Sequence, residues 1–315
     1  MFAICPSLLK LFGGLLRTGR SMLPRPFQYL QPDTLDGALA ALEQHGDDVM
    51  PYAGGTELLL ILKMRLAEYG YLVDLKRIPK LREIELTRDH LVIGSMVTHG
   101  VIAGDPDIHS ELPALSDLCR TIANPRVRSS GTIGGNLCFA EPTADPPTLL
   151  AALDAKLYLA SVRGERCVPA ETFVEGPLET ARADDEILLR IEIARDRRTA
   201  RYVRQLNGHR SLVGAAAFLP READTPPRVW LGCLAERPVA LPGTEAVVAD
   251  SGGMPDPDTL RKAIAGDIAI LDAGGDGNVS AEYLRHVASV VTYRAIIAAH
   301  AAAADLDAAG KKVGP

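Results

Sequence analysis

"PYAGGTELLLILKMRLAEYG", residues 51–70, sets a Gly-Gly pair between a short β-permissive run, Val49 to Ala53, and an apolar run suited to a helix, Leu58 to Leu66. Gly54 and Gly55 stand at the joint, followed by the hydroxyl of Thr56. Such a pair can simply make a tight turn. It can also strip side chains from backbone amides so that a phosphate can approach them. One copy leaves both readings open.

A second copy follows. "TIGGN", Thr132, Ile133, Gly134, Gly135 and Asn136, again joins a β-like entry to an apolar continuation and adds hydroxyl and amide donors. Two such loops facing each other would make a diphosphate clamp from neutral backbone donors, which suits an acidic protein binding a dinucleotide. On spacing alone, two ordinary turns remain the competing reading. No GxGxxG opens a β–α–β unit and no GxxxxGK(S/T) is present, so a Rossmann or P-loop reading has little support.

The bulk numbers narrow the class. The chain has 315 residues, 47% of them hydrophobic and 23% charged, enough for two domains with ample core. A net charge of −6 argues against a nucleic-acid surface, which needs a basic excess or patch. The Arg-rich stretches Arg126 to Arg128 and Arg195 to Arg204 are too short to change that. The five cysteines (Cys5, Cys119, Cys138, Cys167, Cys233) form no CxxC unit. An odd, scattered set suits a reducing compartment and a cytoplasmic protein. The histidines show no metal-ligand spacing, so no metal is expected on this chain. No apolar run approaches the ~18 residues of a membrane span. Residues 1–21 lack a basic start before their apolar stretch. They read as an unstructured N-terminal extension, with a folded domain opening at Met22.

Along the chain, "PDTLDGALAALEQHGDD" reads as a helix capped by Thr34 or Asp33 and stopped by Gly46. A strand at 49–53, a helix at 57–69 and a strand at 71–75 follow. Residues 90–96 read as a strand, with Thr98 capping the next helix. Residues 110–123 read as one helix ended by Asn124-Pro125, with Arg126 to Ser130 as a loop. A helix is placed at about Thr148 to Leu153. Strand signals recur at "KLYLASV" and "EILLRIEI", and a boundary at Arg195 to Thr199. Beyond it come strands at 212–219 and 228–235, a long polar connection, helices at 257–271 and 280–303, and a frayed tail. "DAGGDGNVSAEY" (272–283) imitates a calcium loop but has Gly274 and Tyr283 where ligands belong. It reads as a turn feeding a helix capped by Ser280.

"RPFQYLQPDTLDGALAALEQHGDDVMPYAGGTELLLILKMRL" with "YLVDLKRIPKLREI" resembles the FAD-binding medium subunit of molybdenum hydroxylases, the xanthine dehydrogenase and carbon monoxide dehydrogenase relatives. "ANPRVRSSGTIGGNLCFAEPTADPPTLLAALDAKLYL" resembles their second flavin loop. "YVRQLNGHRSLVGAAAFL" and "VSAEYLRHVASVVTYRA" resemble their carboxy-terminal domain. The likeness spans about residues 24 to 300. It implies an α+β fold with a two-lobed FAD-binding domain of the PCMH type at 22–198, its lobes at about 22–77 and 78–198. A smaller sheet-plus-helices domain at 199–304 and a tail at 305–315 would follow.

The resemblance also implies roles. Ala53, Gly54, Gly55, Thr56 and Glu57 match the loop whose amides hold the FAD pyrophosphate. Glu57 departs from the small polar residue that many relatives carry, so its backbone is assigned rather than its carboxylate. Thr132, Ile133, Gly134, Gly135 and Asn136 match the loop that closes over the same phosphates and the ribityl region. Asp145 matches an acidic position that hydrogen-bonds the flavin side, and Tyr202 an aromatic position beside the isoalloxazine. Relatives acting on 4-hydroxybenzoyl-coenzyme A place an extra [4Fe-4S] cluster on a cysteine like Cys138. They need three further cysteines on an inserted loop, which is missing here, so Cys138 reads as a small buried residue.

No catalytic acid–base residue is implied. A molybdopterin-bearing large subunit would oxidise the substrate. A small subunit with two [2Fe-2S] clusters would carry electrons to this chain's FAD in a duplicated heterotrimer. The alternatives are a self-contained flavin oxidoreductase of the same fold and a non-catalytic flavoprotein module.

Overall fold

A computed structural model describes residues 23–208, 210–221, 225–273 and 279–312. The extension expected at residues 1–21 and residues 274–278 of the rejected calcium-like turn lie outside the described residues.

The first layer is a parallel three-stranded sheet, β1 (Gln28–Leu30), β2 (Val49–Tyr52) and β3 (Tyr71–Asp74), ordered β1-β3-β2. Helix α1 (Leu35–His45) crosses from β1 to β2. The Thr34 hydroxyl caps it by accepting from the Gly37 amide, and Ala38, Leu39 and Leu42 are its buried stripe. Helix α2 (Leu58–Lys63) follows β2. It is shorter than the helix expected over 57–69. Arg65 adopts φ 55° and the Leu66 amide returns to the Ile61 carbonyl at 3.1 Å, a left-handed closure made without glycine.

The second layer is a five-stranded sheet ordered β4-β5-β10-β6-β7. Its strands are β4 (Ile84–Leu86), β5 (His90–Gly94), β6 (Lys156–Ser161), β7 (Gly164–Pro169) and β10 (Ile187–Ala194). Between β5 and β6 run α3 (His99–Gly104), α4 (Pro106–Glu111), α5 (Pro113–Thr121), α6 (Pro125–Ser130), α7 (Ile133–Phe139) and α8 (Pro146–Ala152). The single helix expected over 110–123 is two helices, because Pro113 lacks an amide and forces Leu112 to φ −144°, ψ 65°. Arg126 to Ser130, expected as a loop, is the body of α6. Asn124 does end the preceding element, but its side chain also caps α6 by accepting from the Val127 amide at 3.1 Å. A short helix α9 (Ala170–Phe173) and the hairpin β8 (Val174–Gly176), β9 (Glu179–Thr180) precede β10. The main core lies between this sheet and its helices, with Leu115, Ile133, Leu149, Leu157 and Ile191 fully enclosed.

The third layer is an antiparallel sheet β11 (Arg201–Asn207), β12 (Arg210–Phe218), β13 (Arg228–Gly232) and β14 (Val239–Ala240), backed by α10 (Pro242–Asp250), α11 (Pro257–Ala269) and α12 (Ala281–Lys312). The polar connection thus contains α10. The tail expected to fray continues α12, whose alanines are strong helix formers. Ser280 does cap α12, accepting from the Tyr283 amide at 3.2 Å. Ala281–Ala308 is long and apolar enough by length and composition to cross a membrane, yet Leu284, Ala288, Val291, Ala295 and Ala299 are buried in the core shared with β12 and β13. Ala216, Phe218 and Trp230 join the main core instead, so this sheet is seated on the second layer.

Candidate functional site

Tyr52 and Asp74 end the adjacent parallel strands β2 and β3 as register partners. Beyond such carboxyl ends open parallel sheets bind ligands. There β2 runs directly into Ala53, Gly54, Gly55, Thr56 and Glu57. A Cβ placed on Gly54 would stand 2.1 Å from the Ser130 carbonyl oxygen and 2.9 Å from Gly131 Cα. A Cβ on Gly135 would stand 2.9 Å from Thr132 Oγ1 and 3.4 Å from Ala53 Cβ. The two Gly-Gly loops therefore meet.

They do not offer the same donors. Gly55 turns the first loop at φ +72°. Among the described residues no acceptor takes the amide protons of Gly54, Gly55, Thr56 or Glu57. In the second loop the Ile133 amide donates to Val97 O (3.0 Å), Gly134 to Ser95 O (2.9 Å) and Asn136 to Thr132 O (3.0 Å). Gly135 donates to Thr132 Oγ1 at 3.0 Å. Thr132, capping α7, takes the last two of these donors, and the Val97 and Ser95 carbonyls take the first two, so the run of bare amides lies in the first loop. Gly134 is glycine for packing, since its Cβ would meet Ser95 Cβ at 2.5 Å. What this side leaves open is acceptor capacity: Asn136 Oδ1 and Ser95 Oγ are buried without a hydrogen-bond partner among the described residues. Bare amides opposite an unpaired carboxamide oxygen fit a diphosphate carrying a hydroxylated chain. The amides would donate to phosphate and Oδ1 would accept from a hydroxyl.

Asp145 and Tyr202 are also brought together. The Tyr202 hydroxyl donates to Asp145 Oδ1 at 2.7 Å, and Arg204 pairs with Oδ2. Both oxygens of this buried carboxylate are thus engaged by the chain itself. Burial, with Asp145 beside it, pushes the Tyr202 phenol well above its ordinary value. Burial likewise raises the Glu57 carboxyl; Arg210 opposes this and Glu141 adds to it.

Residues 25–195, more than half of the chain, match the family model described as the FAD-binding domain in molybdopterin dehydrogenase. The chain belongs to that family. It is 32% identical to the carbon monoxide dehydrogenase medium chain of Afipia carboxidovorans over 90% of its own length and 99% of the relative's. It is also 32% identical to the caffeine dehydrogenase subunit beta of Pseudomonas sp. strain CBB1, covering 87% and 95%. Among solved structures, the carbon monoxide dehydrogenase of Hydrogenophaga pseudoflava superposes with a TM-score of 0.84 at 30% identity, covering 89% of this chain and 99% of that one. These relatives are oxidoreductase subunits, and the fold of this molybdopterin-dehydrogenase FAD domain is theirs.

Several residues at the site escaped the sequence reading. Tyr52 lies under Gly55, with its hydroxyl 2.5 Å from where a Cβ would be. Lys76 Nζ sits 3.8 Å above the Tyr52 ring and 3.1 Å from Asp74 Oδ1, while the Tyr29 hydroxyl donates to Asp74 Oδ2 at 2.6 Å. The signal was available: Asp74 closes a parallel strand beside the one feeding the Gly-Gly loop. Arg204 was available too, since on β11 it shares a face with Tyr202 two residues before it. Cys138 is half-buried on α7, with its thiol enclosed and pushed up to about 11 by burial, as befits a packing residue.

His99 packs beneath this junction. Its amide donates to Gly131 O at 2.9 Å and its Nδ1 lies 3.6 Å from the buried Cys119 Sγ. Burial lowers the imidazole from 6.5 to about 4. A folded-state value below the unfolded one means that protonation favours unfolding. The stability tied to neutral His99 is therefore complete above about pH 6.5 and lost as pH falls toward 4, in total about 3 kcal/mol. Denaturant midpoints of wild type and His99→Gln between pH 4 and 7 check this. The wild-type curve should fall more steeply, and parallel curves would refute it.

Proposed function

We propose that this chain carries FAD as the electron-transfer subunit of a molybdenum hydroxylase. It would receive electrons from a [2Fe-2S] small subunit, itself served by a molybdopterin-bearing large subunit, and pass them to a terminal acceptor. The observation that carries the reading is the meeting of the two Gly-Gly loops around bare amides, at the carboxyl ends of parallel strands, in a member of this family.

Bound FAD supplies one- and two-electron redox chemistry. The chain's own residues bind and orient. Gly54, Gly55, Thr56 and Glu57 would donate backbone amides to the diphosphate, and Asn136 would accept from the ribityl chain. Thr132, Ile133, Gly134 and Gly135 would shape the wall opposite. Asp145 fixes Tyr202, which would stand beside the isoalloxazine. No side chain needs to move a proton to a substrate, which agrees with a subunit whose substrate is oxidised elsewhere. The exposed Arg126 on α6 lies in the segment whose Ser130 carbonyl packs on Gly54. A [2Fe-2S] partner seated on it would lie close to the flavin loops. The complex would be a duplicated heterotrimer.

The expected result is one non-covalent FAD per chain. Acid precipitation should release the yellow colour into the supernatant, and flavin retained in the pellet would contradict non-covalent binding. The purified chain should oxidise no physiological substrate until both other subunits are added. Turnover at a normal enzymatic rate by the single chain would refute the subunit reading.

A further inference from the structure

Glu141 reaches the site from the loop after α7, with its side chain only 8% exposed. Its Oε2 accepts from the Thr143 amide at 3.0 Å and from the Thr143 hydroxyl. Oε1 lies 2.8 Å from Arg210 Nη1, but off the direction of a hydrogen bond, so this contact is an ion pair held by charge. Arg210 opens β12 at the turn of the β11–β12 hairpin, and Nη1 also approaches Thr143 Oγ1 at 3.5 Å. The same guanidinium acts on Glu57 in the first Gly-Gly loop, and Glu141 acts on Glu57 with the opposite sign. The neighbouring cation is committed elsewhere: Arg204 holds Asp145, Ser211 Oγ and the Thr121 carbonyl. Cys233 and Tyr202 complete the ionisable groups facing this cluster. Arg210 thus pairs with the carboxylate that follows α7, the helix opened by the second flavin loop, while its charge also reaches Glu57 in the first, and it comes from a sheet beyond the matched segment 25–195.

We propose that Arg210 is a positioning residue for FAD, holding the Glu141 segment behind α7 from the carboxy-terminal sheet and offsetting the charge of Glu141 and Glu57 where the diphosphate must enter. This rests on the functional reading above. Without Arg210, the charges of Glu141 and Glu57 would act unopposed on each other and on an incoming dianionic diphosphate. They would repel it until acid neutralised them. Glu141→Gln removes one of those charges and should relieve the repulsion. A purely structural loss of Arg210 would show neither acid relief nor rescue.

The test is FAD affinity, from flavin fluorescence quenching on the full chain, at pH 5 and pH 8. Arg210→Gln should weaken binding about 10-fold or more at pH 8 and by less than about 3-fold at pH 5. Arg210→Lys, which keeps the charge, and the double variant Arg210→Gln/Glu141→Gln should both stay within about 3-fold of wild type at pH 8. Wild-type affinity in Arg210→Gln at both pH values would overturn the inference. So would a loss that is equal at both and not relieved by Glu141→Gln. Failure of the wild-type chain itself to take up FAD would overturn the functional reading, and this inference with it.

Discussion

Gly54→Ala is expected to abolish FAD binding and destabilise the chain, although it adds one methyl group. That methyl carbon would sit 2.1 Å from the Ser130 carbonyl oxygen, 2.8 Å from its carbon and 2.9 Å from Gly131 Cα. All three are backbone atoms, so no side chain can rotate away. An ordinary contact needs roughly another 1 Å, and opening the junction by that much moves the bare amides of the first loop away from α7. Overpacking of this kind costs about 1–3 kcal/mol, and misplacing a preorganised site by about 1 Å should weaken binding about 100-fold or more. Gly266→Ala supplies the contrast. It lies inside α11 with nothing within 4 Å of its Cβ position, so it should keep FAD and gain up to about 1 kcal/mol of helix stability. Flavin stoichiometry after gel filtration and thermal midpoints decide the matter. A Gly54→Ala chain with full flavin and a wild-type midpoint would refute the claim that the loops are moulded on each other.

That contact also shows where sequence reasoning ran out. The repetition of the Gly-Gly element was legible, and so was its position after a strand, because turn chemistry and periodicity are local. The division of labour was not. AGGTE and TIGGN look alike as strings, yet the Val97 and Ser95 carbonyls and the helix cap Thr132 take the amides of residues 133–136 in the second loop, while the first loop leaves its own bare. Which glycine serves a ligand and which serves a neighbour depends on what packs against it. Ser130 and Ser95 play that part here, and both are distant in sequence from the glycine they touch, in one case by more than a domain lobe's helix-strand unit. Helix ends failed for a related reason. Pro113 was read as the inside of one helix and Asn124-Pro125 only as its end, although each proline starts a new short helix. The stop after α2 uses Arg65 where a glycine would have announced it.

The polar cluster joining the second and third layers leads to the other large effect. Asp145→Ala is expected to cost about 3–5 kcal/mol, because it strands a buried cation rather than merely deleting a contact. The side chains of Arg204 and Asp145 are 13% and 6% exposed. The guanidinium is further held by the Thr121 carbonyl at 2.7 Å and Ser211 Oγ at 3.2 Å, so it cannot swing to water without breaking those bonds. The Tyr202 hydroxyl would lose its acceptor at the same time. Arg204→Gln should be similarly severe, for the mirror reason that a buried carboxylate loses its cation. The pair Asp145→Asn/Arg204→Gln removes both charges and leaves groups that can still hydrogen-bond, so it should be milder than the sum of the single variants by about 2 kcal/mol or more. Tyr202→Phe, which leaves the ion pair intact, should cost only about 1–2 kcal/mol. Denaturant unfolding of these variants closes the double-mutant cycle. An interaction energy below about 0.5 kcal/mol would mean that Asp145 and Arg204 act independently. FAD affinity should fall with stability in Asp145→Ala, since this carboxylate anchors the chain segment that follows α7 to the strand bearing Tyr202.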